Sequence, residues 1–143
     1  MLIIPTELRL SPVHGLGLFS VERIQKGQVV VRYHPAFDLL FSPSDYANLP
    51  PAFQEALDYY GTLHEPTQTR VYNVDNSRFI NHSENPNLKV GRRIMKALRD
   101  IPPGEELTAD YRAFCDACKT DMATAFAQTR SFIDEASLKR SAS

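Results

Sequence analysis

No apolar run in the first half of this chain continues far before a turn residue stops it. Ser11-Pro12, Gly15, Gly17, Lys26-Gly27 and Pro35 divide the segment, and what lies between them is short, as in Val29-Val30-Val31. Glycine admits a positive φ, and proline fixes φ while removing a backbone donor, so each of these positions ends an extended run. The pattern predicts small strands joined by tight turns. It returns further on. Leu88-Lys89-Val90, Gly91 and the stretch from Arg92 to Leu98 read as a hairpin, and Pro102-Pro103-Gly104 closes the next strand before Glu106-Leu107-Thr108.

Two stretches have helical spacing instead. Pro50-Pro51 precedes Phe53, Ala56, Leu57 and Tyr60, with Gly61 behind, which predicts a short amphipathic helix with proline at its start and glycine past its end. This helix belongs to an insertion spanning about residues 42–69. From Asp121 onward, Met122, Ala125, Phe126, Thr129, Phe132 and Ile133 mark one face of a second helix, so residues 119–143 read as a C-terminal helical extension with a polar end at Lys139–Ser143. The apolar face of that helix has two places to go, the domain's own core or a second subunit, and the pattern is the same for both. The expected fold class is therefore mainly β with a few helices (α+β), in one domain of 143 residues.

Charge narrows the partners. Lys and Arg number 16 against 17 Asp and Glu, a formal net charge of -1, so nothing draws the whole molecule to nucleic acid or an acidic membrane. Lys89, Arg92, Arg93, Lys96 and Arg99 gather in the hairpin, but no aromatic residues are interleaved for base stacking, and direct nucleic-acid binding is not expected. No basic leader and no long apolar window is present, which predicts a soluble protein inside the cell, cytoplasmic or nuclear. Cys115 and Cys118 are the only cysteines, too few for a disulfide framework, and with no two further ligands evident they do not make a closed zinc site.

Two polar stretches stand out against this background: Asn76 to Asn87, which crowds Asn76, Asn81, His82, Ser83, Asn85 and Asn87 together, and Glu105 to Tyr111. Neither alternates apolar and polar residues as a half-buried strand does, and such crowding predicts a site. Each element also has a plainer structural explanation. Gly15 and Gly17 suit close backbone approach to a ligand or an ordinary strand turn, and Ser20 stands where a dinucleotide fingerprint requires a third glycine. Asn81 carries a donor and an acceptor that suit a polar cofactor edge, or an Asx turn. Tyr111 suits a site, or a half-buried position with its hydroxyl bonded. His82 has no companion histidine at ligand spacing, so no metal site is expected.

Taken in order, Gly15-Leu16-Gly17-Leu18-Phe19, Arg78-Phe79-Ile80-Asn81-His82-Ser83 with Pro86-Asn87, and Glu106-Leu107-Thr108 with Asp110-Tyr111 make the chain resemble a SET domain across residues 4 to 114. The resemblance implies small β-sheets with the last two motifs meeting in a knot-like thread, residues 1–118 as the catalytic domain, and S-adenosyl-L-methionine-dependent transfer of methyl to a lysine side-chain amine of a protein substrate, with S-adenosyl-L-homocysteine as product. It implies that the backbone of Gly15, Leu16 and Gly17 holds the methionyl part of the cofactor, and that Asn81 and His82 hold its methionyl amine and adenine. Tyr111 matches the catalytic tyrosine beside the cofactor. Tyr33 matches a second tyrosine of the lysine channel, implied to be catalytic alongside Tyr111, in a pocket that also includes Ile80, Ala109 and Phe114.

The departures are informative. The cysteine-rich zinc segment found after the last motif in many eukaryotic members is reduced to Cys115 and Cys118, as in the short viral and bacterial members, and Ala109 replaces the usual Phe or Tyr two residues before the tyrosine. The small side chain predicts a pocket with room for dimethyl- or trimethyl-lysine. Asp38, Asp45, Glu55, Asp58 and Glu65 in and beside the insertion lean towards a basic target such as a histone. The competing expectation is a catalytically silent module of the same fold that binds cofactor or protein.

Overall fold

Each short apolar run becomes a short strand in the computed structural model, which describes residues 1–64, 67–91 and 93–113. The expected C-terminal helix, Phe114, Cys115, Cys118, Glu65 and Arg92 lie outside the described residues. Strands β1 (Thr6–Leu10) and β2 (Leu16–Ser20) form an antiparallel hairpin in which Leu10 faces Leu16 and Thr6 faces Ser20. The next strands are β3 (Val29–Arg32), β4 (Asp38–Phe41), β5 (Thr62–His64) and β6 (Thr69–Asn73). Then follow β7 (Asn81–His82), β8 (Leu88–Val90), β9 (Ile94–Ala97) and β10 (Thr108–Ala109). Strands β4, β6 and β5 make an antiparallel sheet of three, and a sheet of five runs in the order β3-β9-β8-β10-β7.

The helix expected after Pro50-Pro51 is α2 (Pro51–Tyr60), which packs against β6. Only Leu57 of its apolar positions is buried, while Phe53 stays 61% exposed, because the helix packs on the middle strand of a small three-stranded sheet instead of on the main core. A second helix, α1 (Pro43–Ala47), is an addition to what the sequence pattern predicted. Its five residues are too few for apolar periodicity, and its signal lies in the cap: Ser42 Oγ accepts from Asp45 N at 3.2 Å while Asp45 Oδ2 accepts from Ser42 N at 3.0 Å, with Pro43 in the first turn. Among the described residues no helix is long and apolar enough to cross a membrane.

The core joins the β1–β2 hairpin to the five-stranded sheet through Leu18, Ile24, Val30, Val31, Ile80, Leu88, Ala97, Ile101, Leu107 and Ala109. Val30 and Val31 are both buried although neighbours, since β3 carries a bulge against β9 between Val29 and Val31 that breaks the strand's alternation. Several core side chains belong to the two polar stretches, so the sites of polar crowding are tied to the centre of the molecule. The strand-like run before Tyr111 is shorter than its sequence suggests: β10 holds two residues, and Tyr111 opens a 3-10 turn to Ala113.

Topology explains the crowding. Strands β7 and β8 are consecutive in sequence but not neighbours, for β10 passes between them, parallel to both, pairing Thr108 with Asn81 and Ala109 with His82 and with Leu88. The connection from β7 to β8 must bend around the passing strand, and its backbone groups need partners beyond a regular ladder. Asn87, 2% exposed, supplies them: its Nδ2 donates to Glu106 O at 2.7 Å and Glu105 Oε1 at 2.9 Å, and its Oδ1 accepts from Thr108 N at 2.9 Å. Truncating it strands a buried donor and an acceptor. Asn87→Ala should lower unfolding free energy by about 2–4 kcal/mol in urea titration. A loss below about 0.5 kcal/mol would show that other groups hold the thread.

Candidate functional site

The site grows from the loop between β1 and β2. Ser11 Oγ accepts from Val13 N at 2.9 Å and His14 N at 3.2 Å, which folds the loop back, and Gly15 completes the reversal at φ +52°. Gly17 is buried for a different reason. A Cβ there would lie 2.7 Å from Glu106 Cδ and 2.9 Å from Ser11 Cβ, and nearer still to Glu106 Oε1, so only glycine admits the carboxylate.

The second polar stretch approaches this loop from the turn at Asn76–Phe79. Asp75 caps it, accepting from Ser77 N at 3.0 Å and Ser77 Oγ at 2.5 Å, while its Oδ2 accepts from Leu2 N at 2.6 Å. Ile80 and Asn81 then turn inward, 4% and 8% exposed. The Asn81 amide makes no Asx turn. Its Nδ2 donates to His14 O and Leu16 O, both at 3.1 Å, and to Glu106 Oε1 at 2.8 Å. Local side-chain turns do occur nearby, at Asp75 and at Ser83, whose Oγ accepts from Asn85 N at 3.1 Å.

The third stretch completes the cluster. Tyr111 N donates to His82 Nδ1 at 3.1 Å, the two rings lie 5.4 Å apart, and Tyr111 OH donates to Ile80 O at 2.6 Å. Asp110 is gripped by Arg112, whose Nε donates to Oδ1 at 2.8 Å and Nη2 to Oδ2 at 2.9 Å, and it stands 3.9 Å from His82 Nδ1. That grip, more than any other contact, holds the Asp110 carboxyl below the ordinary aspartate range. The structure thus brings together Gly15, Leu16, Gly17, Asn81, His82, Ile80, Ala109 and Tyr111.

Tyr33 stands apart. It lines a groove of about 500 Å³ between the edge of the five-stranded sheet and the three-stranded sheet, with Val31, Asp38, Leu40, Val71 and Ile94, and the Arg93 guanidinium lies 5.4 Å from its ring centroid. Tyr111 and Ala109 line a smaller cavity of about 70 Å³ with Ile80, Thr62 and Tyr60. The walls of both cavities include Asn73 and Met95, which places the two tyrosines on either side of a shared partition.

The insertion's acids are largely engaged within the molecule. Asp38, 3% exposed, accepts from His34 N and Asn73 Nδ2, each at 2.5 Å; Asp45 caps α1; Asp58 accepts from Arg70 Nε at 2.9 Å and Tyr46 OH at 2.7 Å. Of these only Asp38 is buried, whereas Asp45, Asp58 and Glu55 remain at the surface. Sequence reasoning passed over Glu106 and Ser11, which resemble a strand glutamate and a turn serine until the fold brings them together. It also passed over Tyr60 and Met95, which carry no motif.

The model of one protein family, the SET domain, matches residues 15–112. The chain is similar, at 30% identity over 135 residues, to a Fusarium mangiferae histone-lysine N-methyltransferase specific for H3 lysine-9; the match covers 76% of this chain and 39% of that protein's length. A humanized mutant of the Chaetomium thermophilum polycomb repressive complex 2, solved with an inhibitor, superposes at TM-score 0.57 with 28% identity, covering 78% of this chain and 15% of that one. A Neurospora SET domain protein, a histone lysine methyltransferase, superposes at 0.53 with 24% identity, covering 76% and 52%.

The turn that presents Ile80 and Asn81 makes the cluster sensitive to acid. Burial raises the Asp75 pKa, but hydrogen bonds from Ser77 Oγ, Leu2 N and Ser77 N together outweigh it and leave the carboxyl below its ordinary value. A depressed carboxyl stabilises the fold above its unfolded pKa and stops doing so as pH falls through the folded value. Asp75→Asn should therefore cost about 1 kcal/mol at neutral pH, and the difference from the parent should shrink below about pH 4. Urea titrations at both pH values test this, and a difference independent of pH would contradict it.

Proposed function

Because the chain belongs to the SET-domain family, we propose that it is a protein-lysine N-methyltransferase, moving a methyl group from S-adenosylmethionine to a lysine side-chain amine and leaving S-adenosylhomocysteine. The observation that carries this reading is the Tyr111 hydroxyl, bonded to Ile80 O at 2.6 Å beside a cavity that it shares with Ala109. S-adenosylmethionine would supply the methyl group from its sulfonium. The residues fit such a molecule: a loop reversed at Gly15, a Gly17 with no space for a side chain, and an Asn81 whose amide nitrogen is engaged while no hydrogen bond reaches its Oδ1 among the described residues. An open amide oxygen suits the methionyl ammonium, and the backbone at His82 suits the adenine.

The protein's own work is to neutralise and aim the amine. A free lysine, with a pKa of about 10.4, is almost wholly charged at neutral pH. A narrow apolar cavity disfavours the ammonium by desolvation, so the amine loses its proton to water on entering and needs no dedicated base. Tyr111 OH donates to Ile80 O at the wall of the cavity, where its phenolic oxygen would accept from the amine and make weak C–H···O contacts of about 0.5–1 kcal/mol each. Positioning then carries the rate more than acid–base chemistry does. Tyr33, across the partition of Asn73 and Met95, would guide the lysine's stem in the larger groove.

The chain spans 39% of the curated relative's length, so its own partner is read from chemistry and kinship together. A histone or another basic protein is the substrate class we favour, on the strength of that relative's specificity, with the enzyme acting in the cytoplasm or nucleus. Ala109, fully buried in β10, leaves the cavity without the aromatic side chain usual at its position, and we read the products as dimethyl- and trimethyl-lysine.

Tyr111→Phe should keep the fold and the calorimetric affinity for S-adenosylmethionine while turnover of a histone substrate falls about 100-fold or more, the scale of losing one positioned oxygen. Near-normal turnover would defeat the assignment. Ala109→Phe should shift products towards monomethyl-lysine by mass spectrometry. A parent protein that makes only monomethyl product would contradict the reading of Ala109.

A further inference from the structure

We propose that Glu106 is the positioning residue that sets both the shape of the Ser11–Gly17 loop and the direction of the Asn81 amide, and thereby the affinity for S-adenosylmethionine; the last step rests on the cofactor reading above. Its backbone is fixed on both sides: Asn87 Nδ2 donates to Glu106 O at 2.7 Å, and the next residue, fully buried Leu107, donates its N–H to Leu18 O at 2.7 Å. Glu106 also bridges to Phe19 in β2. The side chain on this anchored backbone reaches the loop.

The carboxylate's partners are all neutral donors. Ser11 Oγ donates at 2.8 Å to Oε1 and 2.9 Å to Oε2, Asn81 Nδ2 donates to Oε1 at 2.8 Å, and no Lys or Arg pairs with Glu106 among the described residues. A carboxylate only accepts, so it dictates where its partners' hydrogens go. The Ser11 hydroxyl must point its proton at Glu106, which frees its lone pairs for Val13 N and His14 N and so folds the loop. The Asn81 amide must turn its nitrogen to Glu106, to His14 O and to Leu16 O, which sends Oδ1 the other way. Gly17 completes the fit, since a Cβ would occupy the carboxylate's place. These contacts link residues 11, 17, 81 and 106, and removing Glu106 releases all of them together.

The experiment compares Glu106→Ala, Glu106→Gln and Ser11→Ala with the parent in two measurements. In cofactor-free protein, amide hydrogen exchange at Val13 and His14 should accelerate about tenfold or more in Glu106→Ala and in Ser11→Ala, the effect of losing one or two charge-assisted hydrogen bonds, with Glu106→Gln between them because it keeps an acceptor. By calorimetry, the Kd for S-adenosylmethionine should rise about tenfold or more in Glu106→Ala, while kcat at saturating cofactor stays within about threefold of the parent. A merely structural role would lower stability without this split between affinity and kcat. Unchanged exchange at Val13 and His14, or a Kd within about twofold of a binding parent, would overturn the proposal. Should Glu106→Ala fail to fold, Ser11→Ala carries the same comparison. A parent that binds no S-adenosylmethionine would refute the cofactor reading and with it the affinity claim, whereas the exchange measurement judges the positioning separately.

Discussion

The hydrogen bond between Asn81 Nδ2 and Glu106 Oε1, 2.8 Å long, is the joint on which the site depends. It ties the second polar stretch to the third, and through Ser11 and the carbonyls of His14 and Leu16 it ties both to the first loop. Three segments far apart in sequence need a common anchor before any of them can present a side chain with precision. A buried amide and a half-buried carboxylate provide it because their donors and acceptors are complementary and directional, which apolar packing is not. The core positions the strands, and this joint sets the geometry above them.

The threading of β10 between β7 and β8 makes that joint possible. It brings Thr108 beside Asn81 and Ala109 beside His82, so the short strand delivers Glu106 to one side and Tyr111 to the other. Parallel pairing of two-residue strands is weak alone, and the buried Asn87 supports it with bonds to Glu105, Glu106 and Thr108. The polar residues crowded between Asn76 and Asn87 are therefore of two kinds. Ser77 and Ser83 bond locally, to the Asp75 side chain and to Asn85 N; Asn81 and Asn87 reach across the thread.

Much of this was legible from residue types. Glycine and proline placed the strand ends, Pro50-Pro51 placed α2, and the three motifs in order led to the SET domain. What was hidden was either too short to show a period or dependent on contacts between distant positions. The five residues of α1 have no repeating apolar face, and only Ser42 and Asp45 mark its start. Glu106 looks like any strand glutamate until Ser11 lies within 3 Å of it. A count of charges likewise does not separate buried Asp38, bonded to Asn73 Nδ2, from Asp45 and Asp58, which stay exposed while bonding within the molecule.

We propose that these three segments assemble a cavity in which a protein's lysine is methylated. The most direct measurement is incubation of the protein with methyl-labelled S-adenosylmethionine and a whole-cell lysate, followed by mass spectrometry of the labelled residues. Label should appear on lysine side-chain amines of one or a few proteins. Label confined to other residue types, or a fully folded protein that binds the cofactor and transfers no methyl group to any lysine, would contradict it.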